Sequence, residues 1–351
     1  MKMLCGLNDV TLIPAKISTI SSRSECNPYY ETSNMGKHLP LFSAPMSSVI
    51  DADNYNVFER NGIKTVIPRN VNLDTRMSLC KYVFCAFGLN EIKDMFVDDT
   101  PSGFGKMSGF QHMFVCIDIA NGHMKSLYDL CKELRSKYAD GITIMTGNIA
   151  NPDTYAYVCD NYEGCVDYIR IGIGGGSCCT TAANAAVHYP MATLIMKCYG
   201  ERVERTRFGH KAPFIVADGG FDTFDKIIKA IALGANYVML GSVLAKSEEA
   251  CGELVLDKNC DPIVVDGKQM RAYYGMSTKK AQKEFGNVKL KTAEGIERAV
   301  PIEYPISKWS DNFVSYIRSA MSYTGHRDIA SFVGDVEYDY ISANAFKAYY
   351  K

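Results

Sequence analysis

Eight short apolar runs, with helical patterns between them, constrain the fold of this chain more than any other feature. They are LPLFSAPM (39–46), IKTVIP (63–68), YVFCAFG (82–88), HMFVCID (112–118), ITIMTG (142–147), VDYIRIG (166–172), PFIVADGG (213–220) and NYVMLGS (236–242). Most are nearly continuous rather than alternating, which suits parallel strands buried on both faces. Between them, MKSLYDLCKELRSKY (124–138) places Leu127, Leu130, Cys131 and Leu134 on one helical face, and TFDKIIKAIALG (223–234) ends in a glycine suited to a helix C-terminus. Eight strands alternating with helices predict an α/β fold, a single (β/α)8 barrel over residues 1–351. An open doubly wound sheet is the alternative. The glycines argue against it, because they follow strands six, seven and eight rather than the first.

The chain after the eighth run is long. CGELVLDKNCDPIVVDGKQMRAYYGM alternates like a β-hairpin around Asp261 and Pro262, with a second turn at Asp266-Gly267. The Lys-rich KKAQKEFGNVKLKTAEG has no apolar face wide enough for a core. Residues 251–305 are therefore expected to form a hairpin and a mobile flap, or a solvated loop. ISKWSDNFVSYIRSAMSY (306–323) returns to an amphipathic pattern and is the candidate for the last barrel helix.

Charge and cysteine usage narrow the class. The formal net charge is -1 with both signs mixed along the chain, so no basic stripe points to nucleic acid. The N-terminal MKMLCGLNDVTLIP lacks a signal-peptide core, and no stretch is apolar enough to span a bilayer. Thirteen cysteines without CxxC or zinc-type spacing read as free thiols in a reducing compartment, mostly small buried apolar residues. A cytoplasmic location is expected.

A barrel of this kind carries its active site at the C-terminal strand ends, with phosphate often held after strands seven and eight. Those ends read DGG (218–220) and LGS (240–242). Small residues there let backbone N–H groups approach phosphate oxygens, and Ser242 adds a hydroxyl. The alternative is that the glycines only make tight turns. After strand six comes RIGIGGGSCCTT (170–181). Carbonyls of Gly174, Gly176 and Cys179 can converge on a monovalent cation, and Ser177 can donate to phosphate. Cys179 lies near the start of a predicted helix, where the dipole favours the nucleophilic thiolate. Thr181, two residues on, can shuttle a proton. One of the adjacent cysteines can face the mouth while the other packs backward; two buried structural cysteines are the plainer reading.

IGIGGGSCCTT resembles the cysteine loop of the IMP dehydrogenase/GMP reductase family, usually GxGxGSxCxT. NDVTLIPAKISTISSRSE (8–25), LPLFSAPM, DIANGH (118–123), TGNIA (146–150), DGG, LGSVLAKSEEACGE (240–253), YYGMS (273–277), EGIERAVP (294–301) and IRSAMSYTG (317–325) follow in the family's order. The resemblance implies a homotetrameric (β/α)8 barrel acting on a purine nucleotide. It implies Cys179 as the nucleophile at C2 of the purine, with Thr181 and Glu294 activating the leaving or attacking group. Asp118, Ala120, Asn121 and Asn148 match the nicotinamide side of the pocket, with Ser319 and Tyr323 reaching toward a neighbouring subunit's cofactor. Ser43, Met46, Ser177, Asp218, Gly219, Gly220, Gly241, Ser242, Tyr274, Gly275, Met276, Ser277 and Gly295 match the nucleotide contacts. The cofactor implied is NADPH, or NAD in the dehydrogenase branch, with K+ or Na+ as the candidate cation. A thiolate adduct divides a hard substitution into two easier steps.

The branch is read from particular residues. Only about a dozen residues separate IKTVIP from YVFCAFG, leaving no room for the CBS domain common in dehydrogenases. Residues 277–293 contain neither arginine nor tyrosine, whereas the dehydrogenase flap carries an Arg-Tyr pair that activates water. ANG (120–122) and SSRSE (21–25) are reductase-like. Against this, Arg69 stands where reductases have a lysine, MSYTG and EGIERAVP lean toward the dehydrogenase, and Lys291 and Ala293 replace an arginine and a serine near the guanine amino group. Ser47 replaces an aspartate common after APM, and Gly175 replaces a proline. GMP reductase is the favoured expectation. The alternatives are an IMP dehydrogenase without the CBS domain, a divergent purine-nucleotide oxidoreductase, and a catalytically silent nucleotide-binding protein.

Overall fold

In the computed structural model, which describes residues 4–98, 112–284 and 292–350, all eight apolar runs are strands of one parallel sheet. We number them β1 (Leu41–Ser43), β2 (Val66–Ile67), β3 (Phe84–Phe87), β4 (Met113–Asp118), β5 (Ile142–Ile149), β6 (Tyr168–Ile171), β7 (Phe214–Asp218) and β8 (Tyr237–Leu240). From β2 onward each pairs with the next, and β8 returns to β1 with Val238 opposite Leu41 and Leu240 opposite Ser43. The remaining seam closes just before β2. Ser43 N donates to Lys64 O at 2.8 Å, and Lys64 N to Leu41 O at 3.0 Å. First strand meeting last strand excludes the open sheet.

Burial on both faces explains the continuous apolar runs. Phe42, Val66, Phe84, Phe114, Cys116, Met145, Tyr168, Val216 and Tyr237 fill the barrel interior. Their strand neighbours, such as Leu41, Ile67, Cys85 and Val115, point outward beneath the helices. The alternation follows from the two-residue period of a strand. At the N-terminal end, the hairpin Tyr30–Thr32/Gly36–His38 closes the bottom. Tyr30 packs on Tyr237 at 5.2 Å, and the buried His38 stacks on the same ring. His38 Nδ1 donates to Gly36 O, and Nε2 accepts from Tyr237 Oη at 3.1 Å.

The helices fall close to expectation. Lys125–Tyr138 buries Leu127, Cys131 and Leu134; Phe224–Ala232 ends two residues before Gly234; Ile306–Thr324 ends at Gly325 in the left-handed conformation. Gly234 has φ 119°, and a Cβ there would lie 2.3 Å from the Tyr199 ring, so only glycine fits. All thirteen cysteines are free and ten are buried, in keeping with their reading as small core residues.

Past β8, β9 (Val264–Val265) and β10 (Lys268–Tyr274) turn at Asp266-Gly267 as expected, both with positive φ. The first turn is displaced from Asp261-Pro262. It spans Asp257 to Asp261, with Cys260 at positive φ and Asp257 Oδ1 accepting from Asn259 N and Asp261 N. Asp261 and Pro262 begin the return, because the Asp257 carboxylate organises the turn one step earlier. β10 pairs with β11 (Glu297–Pro301), so EGIERAVP supplies a strand. The expected flap is in part ordered. Lys279–Glu284 is helical and buries Ala281 against Ala272 and Tyr274; residues 285–291 of the flap lie outside the described residues.

Candidate active site

A cavity of about 510 Å³ opens at the C-terminal ends of the strands. Its wall includes Met46 after β1, Asp118 at the end of β4 with Ile119 and Ala120 after it, Asn148 of β5, Arg170 of β6, Asp218 of β7, most of the loop Gly172–Thr181, and Tyr273 through Ser277 with Tyr274 excepted. Glu294 stands at the rim.

The adjacent cysteines have separate surroundings. Cys178 is buried beneath the loop with its sulfur 3.6 Å from Tyr273 O, and burial pushes its thiol up to about 11. Cys179 faces the cavity. Its Sγ lies 3.3 Å from Thr181 Oγ1, which donates to Glu294 Oε2 at 2.9 Å. Backbone pairing fixes this register: Thr180 N donates to Glu294 O, and Ile296 N to Cys178 O. Thiol, hydroxyl and carboxylate thus form one path along which a proton can leave the sulfur. The helix after the loop, Thr181–Ala185, is a single turn, so the dipole expected to aid the thiolate is short.

The floor carries a group that the sequence reading passed over. Arg170 is buried between two carboxylates: Nη1 donates to Asp118 Oδ1 at 2.6 Å, and Nη2 to Asp218 Oδ2 at 2.9 Å. Burial alone would push the guanidinium down, but the charges of Asp118 and Asp218 outweigh it and hold it well above its ordinary value. Asn148 Nδ2 donates to Asp218 Oδ2 at 2.7 Å and to Gly172 O at 2.8 Å. Both amide hydrogens are then committed, and Oδ1 can only accept. An arginine within the apolar run VDYIRIG was the available signal, since a charge on a doubly buried strand requires partners.

The glycines are places where loops meet. Gly219 and Gly220 have φ 107° and 84°, and a Cβ on Gly219 would lie 2.9 Å from Gly176 N. A Cβ on Gly241 would lie 2.7 Å from Tyr273 Oη and 3.1 Å from Met46 Sδ. Ser177 is exposed and Ser242 begins a four-residue helix; neither lines the cavity. Ser43 is also absent from the wall, its Oγ accepting from Val66 N in the closing seam. Gly295 faces Cys178 across the loop. Gly176 O accepts Cys179 N–H at 2.9 Å, which leaves this candidate cation ligand one lone pair.

Tyr274 does not sit where the sequence reading put it. Adjacent residues of β10 face opposite ways, so Tyr273 lines the cavity and the Tyr274 hydroxyl donates to Glu284 Oε1 at 2.6 Å outside it. Asn121 Oδ1 accepts from His123 N in a turn, leaving Ala120 as the wall residue. Ser319 accepts from Arg23 and Tyr323 is 70% exposed on the last helix, both outside this chain's cavity. Arg69 lines the cavity, with Nε 3.1 Å from Glu91 Oε2.

A model of the IMP dehydrogenase / GMP reductase domain matches residues 105–348, more than half of the sequence. The chain belongs to that family. It is thus grouped with NAD(P)-dependent purine nucleotide oxidoreductases. Within the family it is similar to the GMP reductase of Vibrio campbellii, 28% identical over 333 residues, covering 91% of this chain and 90% of that protein. The GMP reductase of Vibrio vulnificus is likewise 28% identical, over 339 residues, with 92% and 90% covered. The inosine-5'-monophosphate dehydrogenase of Chlorobaculum tepidum is 33% identical over 227 residues, covering 61% of this chain. The match spans only 42% of that dehydrogenase. Among the described residues no helix is long and apolar enough to cross a membrane.

Proposed function

We propose that the chain is a GMP reductase, converting GMP, NADPH and a proton to IMP, ammonia and NADP+ through a covalent bond between Cys179 and C2 of the purine. The observation that carries the chemistry is the path Cys179 Sγ–Thr181 Oγ1–Glu294 Oε2, at 3.3 and 2.9 Å. Thr181 and Glu294 take the thiol proton, and the sulfur adds to C2. Glu294, through Thr181, returns a proton to the departing amino group, so that ammonia leaves and a thioimidate remains. NADPH supplies the hydride to C2. The C–S bond then breaks, releasing IMP and the thiolate, which takes a proton from water to restore the thiol and close the cycle.

The floor supports the binding roles. Asp218 Oδ2 is occupied by Arg170 and Asn148, which directs Oδ1 toward a ribose hydroxyl. Asn148 Oδ1 and the second oxygen of Asp118 suit the donors of a carboxamide or ribose, beside the apolar Ile119–Ala120 wall that a nicotinamide ring would cover. The carbonyls of Gly174, Gly176 and Cys179 each have a lone pair to offer K+ or Na+, and replacing either by choline tests this. We read the assembly as a homotetramer in the cytoplasm, with Ser319 and Tyr323 turned toward a neighbouring copy; sedimentation tests the assembly.

The reductase branch is supported by residues 277–293, which hold no arginine or tyrosine to activate water, and by the short β2–β3 connection with its single helix Leu73–Leu79. The near full-length likeness to GMP reductases agrees. A second reading, an IMP dehydrogenase without the inserted domain, is favoured by Arg69 in the wall and by the 33% identity to a dehydrogenase. Nicotinamide absorbance separates them. Loss of signal with GMP and NADPH supports the reductase; a rise with IMP and NAD supports the dehydrogenase. Silence in both would overturn both.

A further inference from the structure

Outside the cavity, a small polar cluster joins two of its walls. Glu284 closes the helix Lys279–Glu284. Its Oε2 accepts from Ser47 Oγ at 2.8 Å, and its Oε1 from Tyr274 Oη at 2.6 Å. Ser47 directly follows the wall segment Ala44–Met46, and the helix begins one residue past Gly275–Ser277, after Thr278. The Ser47–Glu284 bond therefore ties the loop after β1 to the root of the flap, beside β10, where Tyr274 N donates to Ser48 Oγ at 3.4 Å. Burial, with the Glu284 carboxylate beside it, holds the Tyr274 hydroxyl protonated and able to donate. The helix is braced elsewhere as well. Ala281 is fully buried, the Lys280 ammonium lies 4.7 Å from the Tyr274 ring centre, and Lys280 donates to Glu253 Oε2 at 2.7 Å.

We propose that Glu284 is a positioning residue: it holds Met276 and Ser277 against the purine by fastening the flap root to Ser47. The carboxylate of this link comes from the flap rather than from the barrel. Serine at 47 is what permits it, since an aspartate there would face Glu284 with like charge. The link rests on geometry alone, while its effect on the purine rests on the function proposed above.

The test uses the full chain with Glu284→Ala, Ser47→Asp and the double variant Ser47→Asp/Glu284→Lys, each checked for unchanged melting. Two readouts are taken. Mass spectrometry follows trypsin cleavage after Lys279, Lys280 and Lys283, which needs no assumption about activity. Steady-state kinetics follow GMP. Glu284→Ala and Ser47→Asp should speed cleavage and raise KM for GMP about fivefold, with kcat nearly unchanged, as loss of one exposed charged link implies. The double variant should restore KM by reversing the pair, and should restore the cleavage rate after Lys279 and Lys280, the two sites away from the introduced lysine. Unchanged cleavage in Glu284→Ala and Ser47→Asp would overturn the link. Faster cleavage with unaltered KM would overturn the positioning role while leaving the link. A chain inactive on GMP whose cleavage still responds would count against the proposed function and not against the link.

Discussion

Arg170 Nη2 and Asp218 Oδ2 meet 2.9 Å apart in the floor of the cavity, and the same guanidinium reaches Asp118 on its other side. One buried cation thereby sets the place of two carboxylates from strands β4 and β7, both of which line the cavity.

Removing that cation should cost stability as well as binding. Arg170→Met would strand two largely buried carboxylates, and a loss of about 3 kcal/mol in urea unfolding is expected. Arg170→Lys should also destabilise, because an ammonium cannot fork between two carboxylates. A loss below about 1 kcal/mol for Arg170→Met would mean that the carboxylates find water or protons instead.

The two cysteines should separate cleanly. Cys179→Ala is expected to abolish turnover while retaining nucleotide binding; Cys178→Ala should keep most activity. Iodoacetamide should label Cys179 before Cys178, since burial pushes the Cys178 thiol up to about 11, and peptide mapping separates this label from that on the exposed Cys260. GMP or IMP should block the label. The opposite pattern would show that the loop is read in the wrong register.

Glu294→Gln retains an acceptor for Thr181 but no longer takes a proton. Release of ammonia should slow by about a hundredfold, more than hydride transfer. Stopped-flow traces with only a hydride defect would assign Glu294 elsewhere.

Gly241→Ala tests the packing of β8 on the mouth. Its Cβ would press on Tyr273 Oη and Met46 Sδ at 2.7 and 3.1 Å. Weakened GMP binding of about tenfold is expected if Tyr273 and Met46 shift from the wall. Calorimetric titration checks it, and unaltered affinity would show that the two side chains move aside freely.

Acid should loosen the barrel bottom through His38. Burial lowers its pKa from 6.5 to about 4. The unfolded chain therefore binds this proton first as pH falls. The stability tied to neutral His38 is complete above pH 6.5 and is lost between there and about pH 4, up to about 3 kcal/mol. Urea midpoints at several pH values measure the slope, and His38→Phe should remove this part of it. An identical slope in both proteins would place the acid sensitivity in other groups.

The sequence by itself determined the parts that rest on local pattern. Short continuous apolar runs suit strands buried on both faces, and eight of them with helices between point to a barrel. The glycine-rich run before Cys179 and the order of motifs pointed to the family. Tertiary structure alone decided which atoms meet. Arg170 and Asp218 are 48 residues apart, and Ser47 and Glu284 are 237 apart. Their contacts exist only once the strands have closed. The face of Tyr273 and Tyr274 was equally out of reach, because a register shift of one residue reverses every side chain on a strand and pairing with β11 sets that register. Local propensity chooses the elements; closure of the barrel chooses which of their side chains share the cavity.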